Sequence, residues 1–489
     1  MLIRQFPDRK TFSELANRYN VIPFCIETLA DTETPVSLLK KINTRTGPTF
    51  LFESVEGGER WGRYSFLGAS ACSHVRIVAD YVQIQENGLT RRIDHKGDPF
   101  SVLRQFLSRF RPAHIPGLPR FWGGLVGYLT HEMVSFFEPI PNRLPQTEPL
   151  AHFIIPDKLL IFDNIKHTLL SIVLTFLNDH KNIDEAYKEA VNRNESLLED
   201  IWRRPVEADP AAGSSSLKLK QIWDDEVYRA LVRKVKDYIL AGDVIQTVIS
   251  QSFSCSPPPD LWTLYRAQRY INPSPYLFFL NFHEMSLVGS SPETMVRLEN
   301  GIATLRPIAG TRPRGETEQD DRLLADELLK DEKERAEHLM LVDLGRNDLG
   351  RIAQTGTVQV TDLMIVERYS HVMHLVSNIN CDMLPEHDAW DLLRATFPAG
   401  TLTGAPKVRA MEIIAELEKE PRGPYGGAVG YVSFHGNMDM AITIRTACIR
   451  NNQMIVRAGA GIVADSDPER ERIETANKAL ALQKALELV

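Results

Sequence analysis

The sequence predicts a mixed fold in which strands and helices alternate irregularly, and four stretches carry that expectation. Before residue 204, segments such as TFLFESV and HTLLSIVLTF read as strands between turns that contain glycine and aspartate. After residue 218, DDEVYRALVRKVKDYILAGD sets Val227, Leu231, Val235 and Ile239 at helical spacing and ends at Gly242, a suitable C′ residue. The next stretch, VIQTVISQSFS, is β-branched and alternating, which predicts a strand. The clearest break in composition is PVEADPAAGSSSLK, where Pro, Ala, Gly and Ser replace the charged helical pattern of residues 182–203. The expected organisation is an N-terminal region over 1–204, a linker over 205–218 and a second region over 219–489.

A chain of 489 residues can bury a sizeable interior, and 43% hydrophobic with 25% charged residues is ordinary globular composition. The formal charge of −8 and the absence of a Lys/Arg block argue against nucleic acid as a partner. Cys25, Cys72, Cys255, Cys381 and Cys448 are scattered singly, without the paired spacing of a zinc or thioredoxin-like site, which fits a reducing compartment. The opening MLIRQFPDRKTFSEL lacks the apolar run of a signal peptide, and no stretch approaches 18 uninterrupted apolar residues. No membrane is expected, and the cytoplasm is the default location.

Two stretches place carboxylates on shared helix faces. DDRLLADELLKDEKERAEHLMLVDLGRND reads as one long helix with Glu334 and Glu337 three residues apart. SDPERERIETANKALALQKALEL reads as a second, with Ser466 or Asp467 as N-cap, Pro468 in the first turn, and Glu471, Glu474 and Lys478 on one face. Spacing alone leaves two readings open. One is a solvated charge stripe with a Glu474–Lys478 pair; the other is a magnesium site, since Mg²⁺ takes only one or two protein carboxylates and fills its shell with water and substrate oxygens.

Several elements are suited to an anion. RAGAGIV, residues 457–463, would let backbone N–H groups approach a ligand, or would form a tight turn or crowded strand crossing. It lacks the third glycine and following helix of a dinucleotide fingerprint, and no GxxxxGK[ST] loop is present. Arg445 falls in an apolar run, AITIRTA, that reads as a strand, so its guanidinium is expected to meet a carboxylate of the protein or of a ligand. PIAGTRPRG and FPAGTLTGAPK are proline-rich Gly-Thr turns, and His374 lies three residues from His371 in an apolar context that also suits a satisfied core histidine.

In order along the chain, LFESVEGGERWGRYSFLG, NPSPYLFF, SSPE, RPIAGTRPRG, EHLMLVDLGRND, HVMHLVS, GTLTGAPKVRAME, YGGAVGY, RAGAGIV and ETANKA resemble the chorismate-utilising enzymes, and among them the anthranilate synthase component I family. The resemblance runs from about residue 34 to the end. It implies an α+β composite fold in which two large antiparallel sheets form a β-sandwich flanked by helices. It also implies Mg²⁺ held by Glu337 and Glu474, with Glu334 and Glu471 holding metal waters or tuning the site. Chorismate would lie against Gly310, Thr311, Tyr425, Arg445, Gly459, Ala460, Gly461 and Lys478. Glu293 matches the family's general acid, while His374 and Thr401 match residues near the ring, His374 with a role in the elimination half. The family reaction adds ammonia at C2 of chorismate, expels the C4 hydroxyl, and then eliminates pyruvate to leave anthranilate.

Two positions narrow the choice within the family. Gln246 stands where water-using relatives carry a lysine base, and Ala309 in PIAGT stands where aminodeoxychorismate synthases carry a nucleophilic lysine. Direct attack by ammonia is the remaining expectation, with aminodeoxyisochorismate release, or a catalytically dead regulatory subunit, as the rivals. LFESVEGG and NPSPYLFF resemble the family's feedback motif and imply a tryptophan pocket of Glu53, Ser54, Pro275, Tyr276 and Leu277, with Phe52 replacing the usual leucine and Leu277 the commoner methionine. No cysteine lies in a Gly-x-Cys-x-Gly turn, so ammonia is expected from a separate glutaminase subunit.

Overall fold

A computed structural model describes residues 1–43, 46–54, 62–177, 182–206, 217–369 and 372–489. Two antiparallel sheets of 13 and 12 strands dominate it, and both are built from the two sides of the expected linker. In the first sheet, the Thr49–Glu53 strand pairs with Tyr276–Asn281, setting Glu53 opposite Leu277. In the second, Gly124–Leu129 pairs with Ala428–Ser433. The strands of 1–204 and of 219–489 therefore share ladders. Of the 205–218 linker, residues 207–216 lie outside the described residues.

The inner faces of the sheets close on Phe66, Val126, Tyr128, Phe278 and Tyr431, where the Phe121 and Tyr431 rings stack at 4.2 Å. Helices cover the outer faces. Ala389–Thr396 sets Trp390 against Phe153 of the second sheet, and Pro468–Leu486 sets Ala479 and Leu482 against the first. The α+β sandwich flanked by helices is thus the observed architecture. No helix of the described residues is long and apolar enough to cross a membrane.

Two local expectations are corrected, and the Asp225–Leu240 helix forms where expected. The single long helix is two, Glu318–Lys330 and Glu332–Gly350. Asp331 leaves helical geometry at ψ 108° and caps the second helix by accepting from the Lys333 and Glu334 amides, a role aspartate fills better than a helix interior. Arg312 holds the Asp331 carboxylate at 2.8 Å. The Asp225–Leu240 helix buries Tyr228, Val232 and Val235 and leaves Val227 exposed, because the Tyr228 hydroxyl turns inward to the Ile249 carbonyl at 3.0 Å. Arg445 lies outside any strand: it connects Met438–Ile442 to Thr446–Arg450 with φ of 50°.

Candidate active site

The floor of the site is the antiparallel pair Gln246–Cys255 and Gln453–Ile462, in which Val248 faces Gly461 and Ser250 faces Gly459. RAGAGIV is therefore almost wholly strand, and its glycines make room for neighbouring side chains. A Cβ on Gly459 would stand 2.7 Å from the Tyr425 hydroxyl and 3.0 Å from the Ile249 carbonyl; one on Gly461 would stand 2.3 Å from Gln246 Nε2. Ala460 points to the other face, into the apolar cluster of Tyr228, Val232 and Ile413, so only its backbone is available to the site.

One wall carries Glu293, in the turn between Ser286–Ser291 and Thr294–Glu299. Burial pushes its carboxyl up to about 8, against the opposing pull of the Thr401 hydroxyl, Arg445 and Lys478. Lys478 enters from the Pro468–Leu486 helix, whose N-cap is Asp467, while the Ser466 hydroxyl accepts from the Val463 amide. Its ammonium donates to the Gly459 carbonyl at 2.9 Å and pairs with Glu474 at 2.8 Å, so the i,i+4 pair expected from spacing is formed.

The opposite wall is the ladder between Ile308–Pro313 and Val372–Asp382. His374 Nδ1 lies 3.0 Å from the Gly310 carbonyl and 3.0 Å from the Thr311 hydroxyl. The carbonyl only accepts, so Nδ1 carries the proton and Nε2 keeps its lone pair. Burial lowers the imidazole's pKa and keeps it neutral; Arg445 acts in the same direction and the Gly310 hydrogen bond opposes. His371 lies outside the described residues.

Gly310 adopts φ of 64°, and a Cβ there would stand 3.3 Å from Glu334 Oε2. Glu334 is raised first by burial and then by the charge of Glu337, which accepts from Gln246 Nε2 at 3.3 Å. Glu471 is likewise raised by burial; Glu474 adds to the rise, while Ser466 and Lys333 of the other helix oppose it. Hydrogen bonds join Lys478 to Gly459, His374 to Gly310 and Gln246 to Glu337, and the charges of Arg445 and Lys478 act on Glu293 as that of Arg445 does on His374. Residues implied for chorismate, for catalysis and for metal thus lie near one another in the fold.

Glu337 raises Glu334 and Glu474 raises Glu471, while Arg312 at 3.7 Å from Glu334 and Lys478 at 2.8 Å from Glu474 offset part of that repulsion. Among the described residues no three His, Cys, Asp or Glu side chains gather to hold a metal unaided. A set this sparse is compatible with Mg²⁺ only if water and an anionic ligand complete its shell.

A second pocket holds Glu53, Ser54, Pro275, Tyr276 and Leu277 together, between the two sheets. Tyr265 donates to the Glu53 carboxylate, and Arg269 reaches it at 3.2 Å. The Tyr276 hydroxyl donates to Asp439 at 2.9 Å and lies 3.0 Å from Thr294, next to Glu293. At the other end of the same segment, Asn272 accepts from Arg445 at 3.3 Å. Residues 55–61 of the expected feedback motif lie outside the described residues.

Sequence reasoning missed the charges beneath the cleft. Glu132, Glu418, Arg422 and Arg457 are all buried, and Glu418 pairs with Arg422 at 2.8 Å and with Arg457 at 3.0 Å. Glu418 and Arg422 stand in EKEPRGPYGG, just past the end of the Lys407–Leu417 helix, where no local pattern marks them for burial.

A fold of two composite sheets around a cleft of this kind defines a class. The family model described as chorismate binding enzyme matches residues 56–484. Anthranilate synthase component 1 of Aquifex aeolicus is 47% identical over 97% of this chain and 96% of its own length. That of Acetivibrio thermocellus is 45% identical over 99% and 98%. The crystal structure of anthranilate synthase component I from Streptococcus pneumoniae superposes with a TM-score of 0.76 at 37% identity, over 88% of this chain and 93% of that one. The chain belongs to the chorismate-binding enzyme family, on its anthranilate synthase component 1 branch.

Proposed function

We propose that this chain is the chorismate-converting large subunit of an anthranilate synthase, the enzyme that opens tryptophan biosynthesis. It converts chorismate and ammonia to anthranilate, pyruvate and water. The observation that carries this reading is Glu293, a buried carboxyl raised to about 8 within reach of Thr401, Arg445 and Lys478.

Hydroxide is a poor leaving group, and an acid protonated at neutral pH removes that obstacle. Ammonia forms the new bond at C2, the ring double bonds shift, and the C4 hydroxyl leaves as water with the Glu293 proton. The elimination half then removes the C2 proton and breaks the bond from C3 to the enolpyruvyl oxygen, releasing pyruvate as the ring aromatises. His374 Nε2, with its lone pair free and its ring fixed through Nδ1, is the base assigned to that proton. Arg445, Lys478, Tyr425 and the Gly310–Thr311 turn bind the carboxylates. Glu337 and Glu474 would hold Mg²⁺, with Glu334 and Glu471 behind them, and the ion when bound offsets negative charge on the ring carboxylate.

The Gln246 amide beside Glu337 supports ammonia over water as nucleophile, since an amide cannot act as a base toward water. Ammonia is supplied from glutamine by a partner subunit. Tryptophan, bound in the Glu53–Tyr276 pocket, inhibits through residues 272–276, whose two ends touch Arg445 and the neighbour of Glu293. The enzyme works in the cytoplasm.

The purified chain is expected to form fluorescent anthranilate and pyruvate in equal amounts from chorismate, ammonium salt and Mg²⁺, and to lose that activity when tryptophan is added. An amino-substituted product without pyruvate would refute the assignment. Glu337→Gln is expected to abolish Mg²⁺-dependent turnover while calorimetry shows tryptophan binding intact; unchanged turnover would refute the metal role.

A further inference from the structure

Beneath the cleft floor lies a buried charge cluster of Glu132, Glu418, Arg422 and Arg457. At its centre is Arg422, only 2% exposed at the side chain. Its Nε and Nη2 each donate to Glu418 at 2.8 Å. Nη2 also donates to the Val248 carbonyl at 2.9 Å, and Nη1 to the Leu402 carbonyl at 2.7 Å. Its own backbone amide donates to Glu132 at 2.6 Å. Glu418 accepts in turn from the Ser250 amide at 2.7 Å and from Arg457 at 3.0 Å, and Arg457 donates to the Pro421 carbonyl at 2.7 Å.

Each tether ends one step from a residue of the cleft. Leu402 follows Thr401, the hydroxyl that faces Glu293. Val248 and Gln246 are two apart on one strand and so share a face, as Arg457 and Gly459 do on the next. Pro421 and Arg422 open the turn that delivers Tyr425, whose ring centroid lies 5.8 Å from the Arg422 guanidinium. The four segments come from distant parts of the sequence, and one planar fork meets two of them while gripping Glu418, which meets the others.

We infer that Arg422 is a positioning residue for this active site: its guanidinium, through Glu418 and Arg457, sets the relative placement of Thr401, Gln246, Gly459 and Tyr425. The inference rests on the chorismate reading above. Burial alone would raise Glu418, yet Arg422 and Arg457 hold it down to about 2, so Glu418 stays ionised. Ion clusters of this kind contribute little net stability compared with apolar packing of the same volume, whereas their geometry is specific. A lysine keeps the charge and loses the fork, because an ammonium on a flexible stem cannot grip a carboxylate twice and reach two carbonyls on opposite sides.

The test uses the full chain in the ammonia-dependent anthranilate assay. Arg422→Lys is expected to retain a wild-type circular dichroism spectrum and tryptophan affinity, while kcat/KM for chorismate falls about 100-fold, the scale of an ångström-sized misplacement. The loss is expected in both constants, KM through Tyr425 and kcat through Thr401. Millimolar guanidinium is expected to restore Arg422→Ala about tenfold, on the order of one bound side-chain equivalent. Tyr425→Phe is expected to cost less in the Arg422→Lys background than alone, because coupled positions are not additive. An Arg422→Lys enzyme that matches wild type, or additive losses without guanidinium rescue, would overturn the positioning role alone. A wild-type chain that makes no anthranilate would overturn the chorismate reading, and this inference with it.

Discussion

At the scale of single residues, Glu293 carries the most chemical information. Its carboxyl is protonated at neutral pH because burial disfavours the charge more than Thr401, Arg445 and Lys478 favour it. With rates expressed per free ammonia, kcat/KM is expected to hold steady up to about pH 8 and to fall above it, since only the protonated form donates. The folded pKa lies above the ordinary glutamate value, so the folded state binds the extra proton. The stability this contributes is complete below the unfolded pKa and is lost as pH rises through about 8. Glu293→Gln is expected to lower kcat by about 10² to 10⁴, the range of general acid catalysis. At pH 9 it is expected to raise the thermal midpoint, and a midpoint lower than wild type there would contradict the buried charge. Glu293 was legible from SSPE only by resemblance; its proton affinity was not, because that depends on what the folded chain packs around it.

At the scale of elements, two glycines of one strand make different demands. Gly459→Ala drives a Cβ toward the Ile249 backbone and the Tyr425 hydroxyl, whereas Gly461→Ala meets the end of the Gln246 side chain, which can rotate. A chorismate KM raised at least about tenfold is expected for Gly459→Ala, and a smaller change for Gly461→Ala, as one uncompensated contact of about 1.4 kcal/mol implies; equal effects would count against the strand geometry. Asp331 starts the helix that presents Glu334 and Glu337. Asp331→Ala is expected to cost about 0.5–2 kcal/mol of stability by denaturant titration, and to raise the Mg²⁺ concentration needed for half-maximal rate. The carboxylate spacing was readable in the sequence. The break at Asp331 was not, because unbroken helical periodicity hides a cap whose partner, Arg312, arrives from a separate strand.

For the whole molecule, the consequence of the composite sheets is mutual dependence of the two sequence regions. Residues 219–489 alone would expose Tyr276–Asn281 and Ala428–Ser433 as open edges, and unpaired edges invite aggregation. That fragment is expected to be insoluble when expressed by itself and to be recovered when co-expressed with residues 1–206, as seen by gel filtration; a soluble, cooperatively folding fragment would refute this dependence. The 272–276 segment joins the two pockets, because Pro275 and Tyr276 line the inter-sheet pocket while Asn272 accepts from Arg445.

The sequence by itself determined the mixed fold class, the capped start of the last helix, the order of the motifs and the acid and anion-binding residue types, since these follow from local periodicity, capping and motif spacing. Only the tertiary structure decided that RAGAGIV is a strand, that Arg445 sits in a left-handed turn, and that Arg422 lies buried rather than solvated. Those outcomes depend on contacts between segments far apart in the chain: Tyr425 against Gly459, Arg445 against Asn272, and Arg422 against Leu402 and Val248. Local pattern sets what an element is; the partners it meets set which of its side chains face the cleft and in what state of charge.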